Sequence, residues 1–294
     1  MLEKQYSNAG WAERWPAPAK INLMLRIVGQ RADGYHLLQT VFQFIDLFDW
    51  LVFHPVDNGR VTLVNPIPGV PELDDLTVRA ANLLKVETGY KSGVRIEVEK
   101  NLPMGGGLGG GSSDAATTLV VLNKLWGLQL SVERLMALGL SLGADVPIFV
   151  SGYAAWAEGV GEKLEKIILD EQWVVVIKPE CHVNTKEIFS AKNLTRNSKS
   201  IKISDFIAGQ HQNDCVEVVS QRYPLVKDAL VALSEFSEAR LTGSGACVFA
   251  QFDSEILAIN AYQSLKNNGW QVYIAKGLNE SPLFSKLKAG KYIS

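Results

Sequence analysis

Cysteine is scarce: Cys181, Cys215 and Cys247 are the three in 294 residues. They lie far apart, are odd in number and form no C-x-x-C, so neither a disulfide framework nor a zinc site is indicated. A reducing compartment, the cytoplasm, fits that usage. An excess of one charge is missing too. Lysine and arginine total 29 against 31 acidic residues, a net charge of −2. Without a basic surplus the chain is poorly matched to a polyanion, which argues against nucleic acid as its main partner. No apolar run reaches the roughly 20 residues that a membrane helix needs. Met1 to Arg14 has early charges and no apolar centre, so it reads as an extension or frayed end and not as a signal peptide. No internal repeat is visible. The apolar share, 47%, suffices for a real core. The length suits one large domain or two modest ones.

Glycine, by contrast, is concentrated. After Lys100, Asn101, Leu102, Pro103 and Met104 come Gly105, Gly106, Gly107, Leu108, Gly109, Gly110 and Gly111, then Ser112, Ser113 and Asp114. Apart from Leu108, such a run has no side chains to pack, and it is costly to order. It suits a place where backbone must come close to something else. Ahead of it, Val94, Ile96 and Val98 alternate with Arg95, Glu97 and Glu99, the period of a half-buried strand. Behind it, Ala115, Leu119, Leu122 and Trp126 recur at helical spacing up to Gly127. Ser112, Ser113 and Asp114 suit the helix start. The order strand, glycine loop, helix N-terminus presents free N–H groups and a partial positive charge to a phosphate.

What is missing around the loop narrows its kind. No lysine follows the last glycine, so the pattern G-x-x-x-x-G-K-[ST] fails. Gly105, Gly107 and Gly110 match G-x-G-x-x-G, but the acid expected about 20 residues later at a second strand end is absent, because the chain there is still helical. V-A-I-K, H-R-D and D-F-G do not occur, which excludes a protein kinase.

Elsewhere, Ile21, Leu23, Leu25 and Ile27 alternate with Lys20, Asn22, Met24 and Arg26, which predicts a strand with Lys20 and Asn22 neighbours on its polar face. That face is either solvated or a site. Asp33-Gly34 predicts a tight turn with Tyr35 and His36 side by side at its exit. A flat ring beside an imidazole can stack on a base and read its edge, or can be ordinary surface. Asp46 and Asp49 interrupt an apolar stretch from Thr40 to Phe53. Asp145 falls between a helix ending at Gly143 and an apolar segment from Val146 that reads as a strand. A carboxylate pressed there needs a partner, unless it is a turn residue. Val174 to Lys178 opens a second half of mixed strands and helices, an α+β pattern. In it, Asn184 and Thr185 start a helix or turn, Lys192 to Lys202 reads as a solvated loop, and Leu241-Thr242-Gly243-Ser244-Gly245-Ala246 is a second glycine turn before a strand.

Pro18-Ala-Lys-Ile-Asn-Leu23, the loop at 103–116, Gly143-Ala-Asp-Val-Pro147 and Leu241-Thr-Gly-Ser-Gly-Ala246 together resemble the GHMP kinases, the family of galactokinase and of homoserine, mevalonate and phosphomevalonate kinases. The resemblance runs over nearly the whole chain from about Trp15. It implies an α+β fold of two domains, 1–160 binding ATP and 161–294 completing the site in the cleft between them. Gly29-Gln-Arg-Ala-Asp-Gly-Tyr-His36 narrows it to members whose substrate is a small alcohol carrying cytidine diphosphate. A homoserine- or mevalonate-type kinase, or a nucleotide-binding module without turnover, are the alternatives. By the resemblance, Pro103 to Ser113 wraps the ATP phosphates with Lys100 near the nucleotide. Asp145 serves as catalytic base with Lys20 as its partner. Asn22, Tyr35 and His36 hold the substrate, Tyr35 and Phe189 lying on either face of cytosine and Thr185 near the cytidine. Thr242, Gly243 and Ser244 close the far end. Mg²⁺ is expected with ATP, with the Ser112 and Ser113 hydroxyls as the nearest candidate ligands and no dedicated carboxylate in the loop; the motifs assign no oligomeric state. Asp75 stands where the family often has Asn, and Lys186 where proline is sometimes found.

Overall fold

The protein is described by a computed structural model covering residues 10–289. Two long strands dominate the first half, β1 (Arg14–Gln30) and β2 (His36–Val56), antiparallel and joined by the Asp33-Gly34 turn. In order follow β3 (Val61–Leu63), α1 (Leu76–Thr88), β4 (Gly93–Glu99), α2 (Gly110–Leu125), α3 (Val132–Leu142), α4 (Val146–Ser151), β5 (Ala155–Gly159) and β6 (Lys163–Lys166). The second half runs β7 (Trp173–Lys178), α5 (Thr185–Phe189), α6 (Ile203–Ile207), α7 (Val216–Arg222), α8 (Pro224–Ser234), β8 (Ala239–Leu241), β9 (Val248–Phe252), α9 (Glu255–Leu265), β10 (Gln271–Leu278) and α10 (Pro282–Ala289).

β2 is long enough to serve three neighbours besides β1. Leu38–Phe42 pairs with β5, Trp50–Val56 with β4, and Phe44 and Ile45 with β10. β10 also pairs with β7, and β7 with β9, so one sheet runs through both halves. Three apolar clusters fill the molecule. One lies between α1–α4 and the first-half strands, with Leu283 and Leu287 of α10 packed into it. One lies beneath α5, α7, α8 and α9 in the second half. The third, including Ile21, Met24, Leu108, Val176 and Phe249, sits at the seam. An apolar seam holds the two halves in a fixed relation, as burial of a shared core requires.

β1 departs from simple alternation. Its register shifts between Asn22, opposite Phe42, and Met24, opposite Val41. Leu23 is the extra residue of a β-bulge, and beyond it the two faces exchange. Met24 therefore joins Ile21 in the seam core, while Leu25 comes round to the cleft side with Lys20 and Asn22. The polar face is not solvated: Lys20 is 2% and Asn22 3% exposed.

Two further elements differ from the sequence-based expectation. Val146–Ser151 is a helix, not a strand, because Pro147 sits in its first turn, where a missing N–H costs nothing. Helix α2 begins at Gly110 with Gly109 as N-cap, ahead of the three polar residues expected to start it. Gly109 has φ 77, a conformation that favours glycine. Of the segment Met1–Arg14 read as frayed, residues 1–9 lie outside the described residues. From Gly10 onward it is anchored: Trp11 packs into the first core and the Trp15 indole donates to the Gly10 carbonyl at 3.1 Å.

Candidate functional site

The glycine loop is clamped by protein on one side and open on the other. Leu108, its one side chain, is buried in the seam core, and its carbonyl accepts from the Lys20 N–H at 3.0 Å. A Cβ on Gly107 would lie 2.6 Å from the Thr242 carbonyl oxygen and 3.0 Å from that of Gly245. On Gly106 it would lie 2.5 Å from the Cys247 sulfur, and on Gly109 2.7 Å from the Phe149 ring. The close approach that demands glycine here is thus largely to the protein's own second glycine turn. Gly110 and Gly111 are different, with room for a Cβ, and they begin α2, whose first N–H groups lack intrahelical partners. Gly107→Val is therefore expected to lower the melting temperature as well as ATP affinity. It forces a β-branched residue into φ +78, worth about 1–3 kcal/mol by itself. A variant that kept full stability in thermal unfolding and lost only ATP binding in calorimetry would contradict this packing.

A cavity of about 410 Å³ opens over the loop, lined by residues 103–112 with Asp75, Leu76, Lys100, Asp114 and Asp145. Ser112 lines it, whereas Ser113 faces inward, with a buried hydroxyl that has no hydrogen-bond partner. Asp75 caps α1, accepting from the Thr77 and Val78 N–H groups at 2.8 and 3.3 Å. An Asp at that place therefore has a structural task. Lys100 is held by the Asp49 carboxylate and, at 2.7 Å, by Asp114. Burial pushes the Asp114 carboxyl up to about 7; the Lys100 ammonium opposes that and the Asp49 carboxylate adds to it. Two carboxylates around one ammonium, with little water, favour a retained proton. Burial alone would lower Lys100, but the pair of carboxylates outweighs it and its pKa is raised.

A second cavity, about 920 Å³, lies in the cleft and is lined from both halves. From the first half come Lys20, Asn22, Leu25, Tyr35, His36 and Thr40; from the second, Thr185, Phe189, Arg196, Gly243 and Ser244. Gly107, Ser112 and Asp145 line both cavities, so the two spaces meet there. At that junction the Lys20 ammonium lies 3.2 Å from the Asp145 carboxylate. It also donates to Asn22 Oδ1 at 2.6 Å and to the Gly107 carbonyl at 3.1 Å. Asn22 is fixed in turn by its own amide, which donates to Thr40 Oγ1 at 2.8 Å, and by its backbone N–H, which donates to Thr242 Oγ1 at 3.0 Å. Asp145 itself is the N-cap position of α4, yet its carboxylate makes no capping bond, which leaves it to Lys20 and the cavity.

Thr242 is fully buried and reaches the site only through Asn22 and the Gly107 carbonyl, while Gly243 and Ser244 face the cleft. The Ser244 and Thr185 hydroxyls bond each other at 2.8 Å. The Phe189 ring leans on His36, centroids 5.1 Å apart, and Tyr35 stands 62% exposed at the rim. Sequence reasoning missed Asp49, Asp114, Thr40 and Arg196. Asp49 had a signal, an acid inside an apolar strand, which must find partners. Arg196 had none, and the segment read as a solvated loop in fact buries Leu194 and carries this arginine into the cleft.

Among the described residues no three His, Cys, Asp or Glu side chains gather as a metal cage. Mg²⁺ does not need one, since it binds through phosphates, waters and one or two protein oxygens. Ser112 and Asp145, which line both cavities, carry side-chain oxygens of that type. No helix among the described residues is long and apolar enough to cross a membrane.

Residues 75–153 match the GHMP kinases N terminal domain and residues 190–270 the GHMP kinases C terminal, so the chain belongs to the GHMP kinases. Similar curated proteins include the 4-diphosphocytidyl-2-C-methyl-D-erythritol kinase of Nitrosococcus oceani, 53% identical over 93% of this chain and 98% of that one. That of Methylococcus capsulatus is 55% identical over 93% and 94%. A crystal structure of 4-(cytidine 5'-diphospho)-2C-methyl-D-erythritol kinase superimposes with a TM-score of 0.79 at 32% identity, covering 90% of this chain and 99% of that one. A homoserine kinase from Cytophaga hutchinsonii shares the fold, with a TM-score of 0.63 at 18% identity, covering 91% of this chain and 95% of that one. With such identity along nearly its whole length, the chain belongs to the 4-diphosphocytidyl-2-C-methyl-D-erythritol kinases within the GHMP family.

Proposed function

We propose that the chain moves the γ-phosphoryl group of ATP onto the 2-hydroxyl of 4-diphosphocytidyl-2-C-methyl-D-erythritol, in the non-mevalonate route to isoprenoid precursors. The observation that carries this reading is the meeting of the two cavities at Gly107, Ser112 and Asp145, with Lys20 beside them. The smaller cavity takes the nucleotide, its phosphates against Pro103–Ser112 and the start of α2. The larger one takes the cytidine substrate, with Tyr35, His36 and Phe189 at the base and Asn22, Gly243 and Ser244 toward the reacting end. Residues 1–160 would supply the nucleotide site and 161–294 the far wall of the cleft.

Phosphoryl transfer asks for positioning and charge stabilisation more than covalent help. The attacking hydroxyl oxygen forms a bond to the γ-phosphorus as the bond to the β,γ-bridging oxygen breaks, leaving ADP. The hydroxyl proton passes to Asp145, whose carboxylate makes no capping bond and faces the junction beside the Lys20 ammonium. A carboxylate is a weak base for an alcohol. Its work is therefore to orient the hydroxyl and accept the proton late. Lys20, held by Asn22 and the Gly107 carbonyl, offers a fixed positive charge to the developing alkoxide. Magnesium, held by the phosphates with Ser112 and Asp145 as nearby oxygens, would supply charge neutralisation on the phosphates.

A coupled assay of ADP release across a panel of small alcohols tests this. Turnover is expected with the cytidine-diphosphate substrate and not with homoserine or mevalonate; the reverse preference would overturn it. Tyr35 makes a sharper point. It is exposed at the rim, so Tyr35→Ala should leave stability unchanged. The same change should raise KM for the cytidine substrate by the equivalent of about 1–3 kcal/mol of lost stacking. The KM for ATP should barely move. Equal losses for both substrates in steady-state kinetics would remove Tyr35 from the base site.

A further inference from the structure

Arg196 lies in the loop between α5 and α6 and lines the cleft. Its guanidinium is held from several directions. One terminal nitrogen donates to the Phe189 and Ala191 carbonyls, both at 2.8 Å, and the other to the Leu194 carbonyl at 3.1 Å. These bonds leave its Nε–H aimed at His36, where it donates to Nε2 at 3.1 Å. A guanidinium has donors and no acceptor, so His36 Nε2 must be the acceptor of that bond. The imidazole then carries its one proton on Nδ1. Burial and the arginine's charge both lower the His36 pKa, which keeps the ring neutral. A protonated ring would have an N–H on Nε2 facing the Arg196 N–H. The other charged side chains lining this cavity near the base end are Asp33, which pairs with Arg31 at 2.7 Å, and Lys186.

We propose that Arg196 is a specificity-determining positioning residue: by holding His36 as the Nδ1–H tautomer it presents the pyrimidine with a fixed donor. This rests on the cleft being the cytidine site. A fixed donor aimed at N3 suits cytosine, where N3 is an acceptor; O2 accepts in cytosine and uracil alike and does not distinguish them. Uracil carries a proton on N3, and two donors would then face each other unsatisfied, which is costly once water is excluded. The same guanidinium ties the Phe189 carbonyl, so one side chain sets both the tautomer of His36 and the place of the ring that leans on it.

Nitrogen-15 NMR of the imidazoles in the unmodified full-length protein reads the tautomer directly. A protonated Nδ1 with an unprotonated Nε2 on His36 is expected, and the opposite tautomer overturns the proposal whatever any variant does. Kinetics then compare the cytidine substrate with its uridine counterpart. In Arg196→Met the ratio of their kcat/KM values should fall by about tenfold or more, carried by KM, with the KM for ATP unchanged. Arg196→Gln, whose side-chain amide still offers an N–H, should recover part of the ratio. An active Arg196→Met that lost efficiency equally on both nucleosides would make Arg196 a strut for α5 and nothing more, overturning the proposal alone. A wild type inactive on the cytidine substrate would instead remove the base-site reading beneath it.

Discussion

Replacing Asp145 by Asn is expected to cut kcat by about 10²–10⁴-fold, the range of positioned proton transfer. The KM values and the melting temperature should change little. The structure supports both halves of that expectation. The Asp145 side chain is 39% exposed and makes no capping bond to α4, so the fold does not depend on its charge. The amide keeps its shape and can still hydrogen-bond the hydroxyl, but it cannot accept the proton. Lys20 would lose one of its partners and keep Asn22 and the Gly107 carbonyl. Lys20→Met should lower kcat as well. The double variant should be little slower than the poorer single one, since residues acting as one unit are not additive. Initial-rate kinetics and thermal unfolding on the same preparations check this. An Asp145→Asn enzyme that was less stable yet turned over at the normal rate would make Asp145 a joint residue and end the mechanism.

Asp49→Ala should have the largest effect on stability, a loss of about 3–5 kcal/mol in urea unfolding, as when one partner of a buried ion pair is removed. Asp49 is 0% exposed. Its carboxylate accepts from the Asn101 and Leu102 N–H groups at 2.6 and 2.8 Å and holds the Lys100 ammonium. These bonds fix the bend by which the chain leaves β4 and enters the glycine loop. Without them two backbone donors lose their acceptor, and the Lys100 ammonium loses one of its two carboxylates and is left with Asp114. The KM for ATP should rise too, because the loop would no longer leave β4 at a fixed angle. Asp46 is the control. It is exposed and accepts from the Lys276 N–H at 2.6 Å. Its replacement by Ala should cost only about 1 kcal/mol, an ordinary net hydrogen bond. Equal losses at the two positions would mean that the Asp49 network contributes nothing special.

The glycine loop, the Tyr35-His36 pair, the buried strands and the α+β character were readable because each rests on local pattern: alternation, helical spacing, capping and turn residues. Asp145 was readable as an acid in need of a partner. Its helix was not, since a short apolar run looks alike as strand or helix until Pro147 is placed in a first turn. The pairing of Lys20 with Asp145 joins positions 125 residues apart in the chain, and no spacing rule reaches that far.

By itself the sequence determined the main strands and helices, though not the helix at Val146–Ser151, that one backbone run must come close to something, and which polar groups had to find partners. Those follow from side-chain periodicity and from the cost of ordering glycine. Only the tertiary structure decided what the partners were. The bulge at Leu23 turned Leu25 to the cleft beside Lys20 and Asn22. The seam core set the second glycine turn against Gly107, and the loop after α5 brought Arg196 to His36. Each of these depends on packing between segments remote in the chain, where burial of a shared apolar surface, and not local propensity, selects the arrangement.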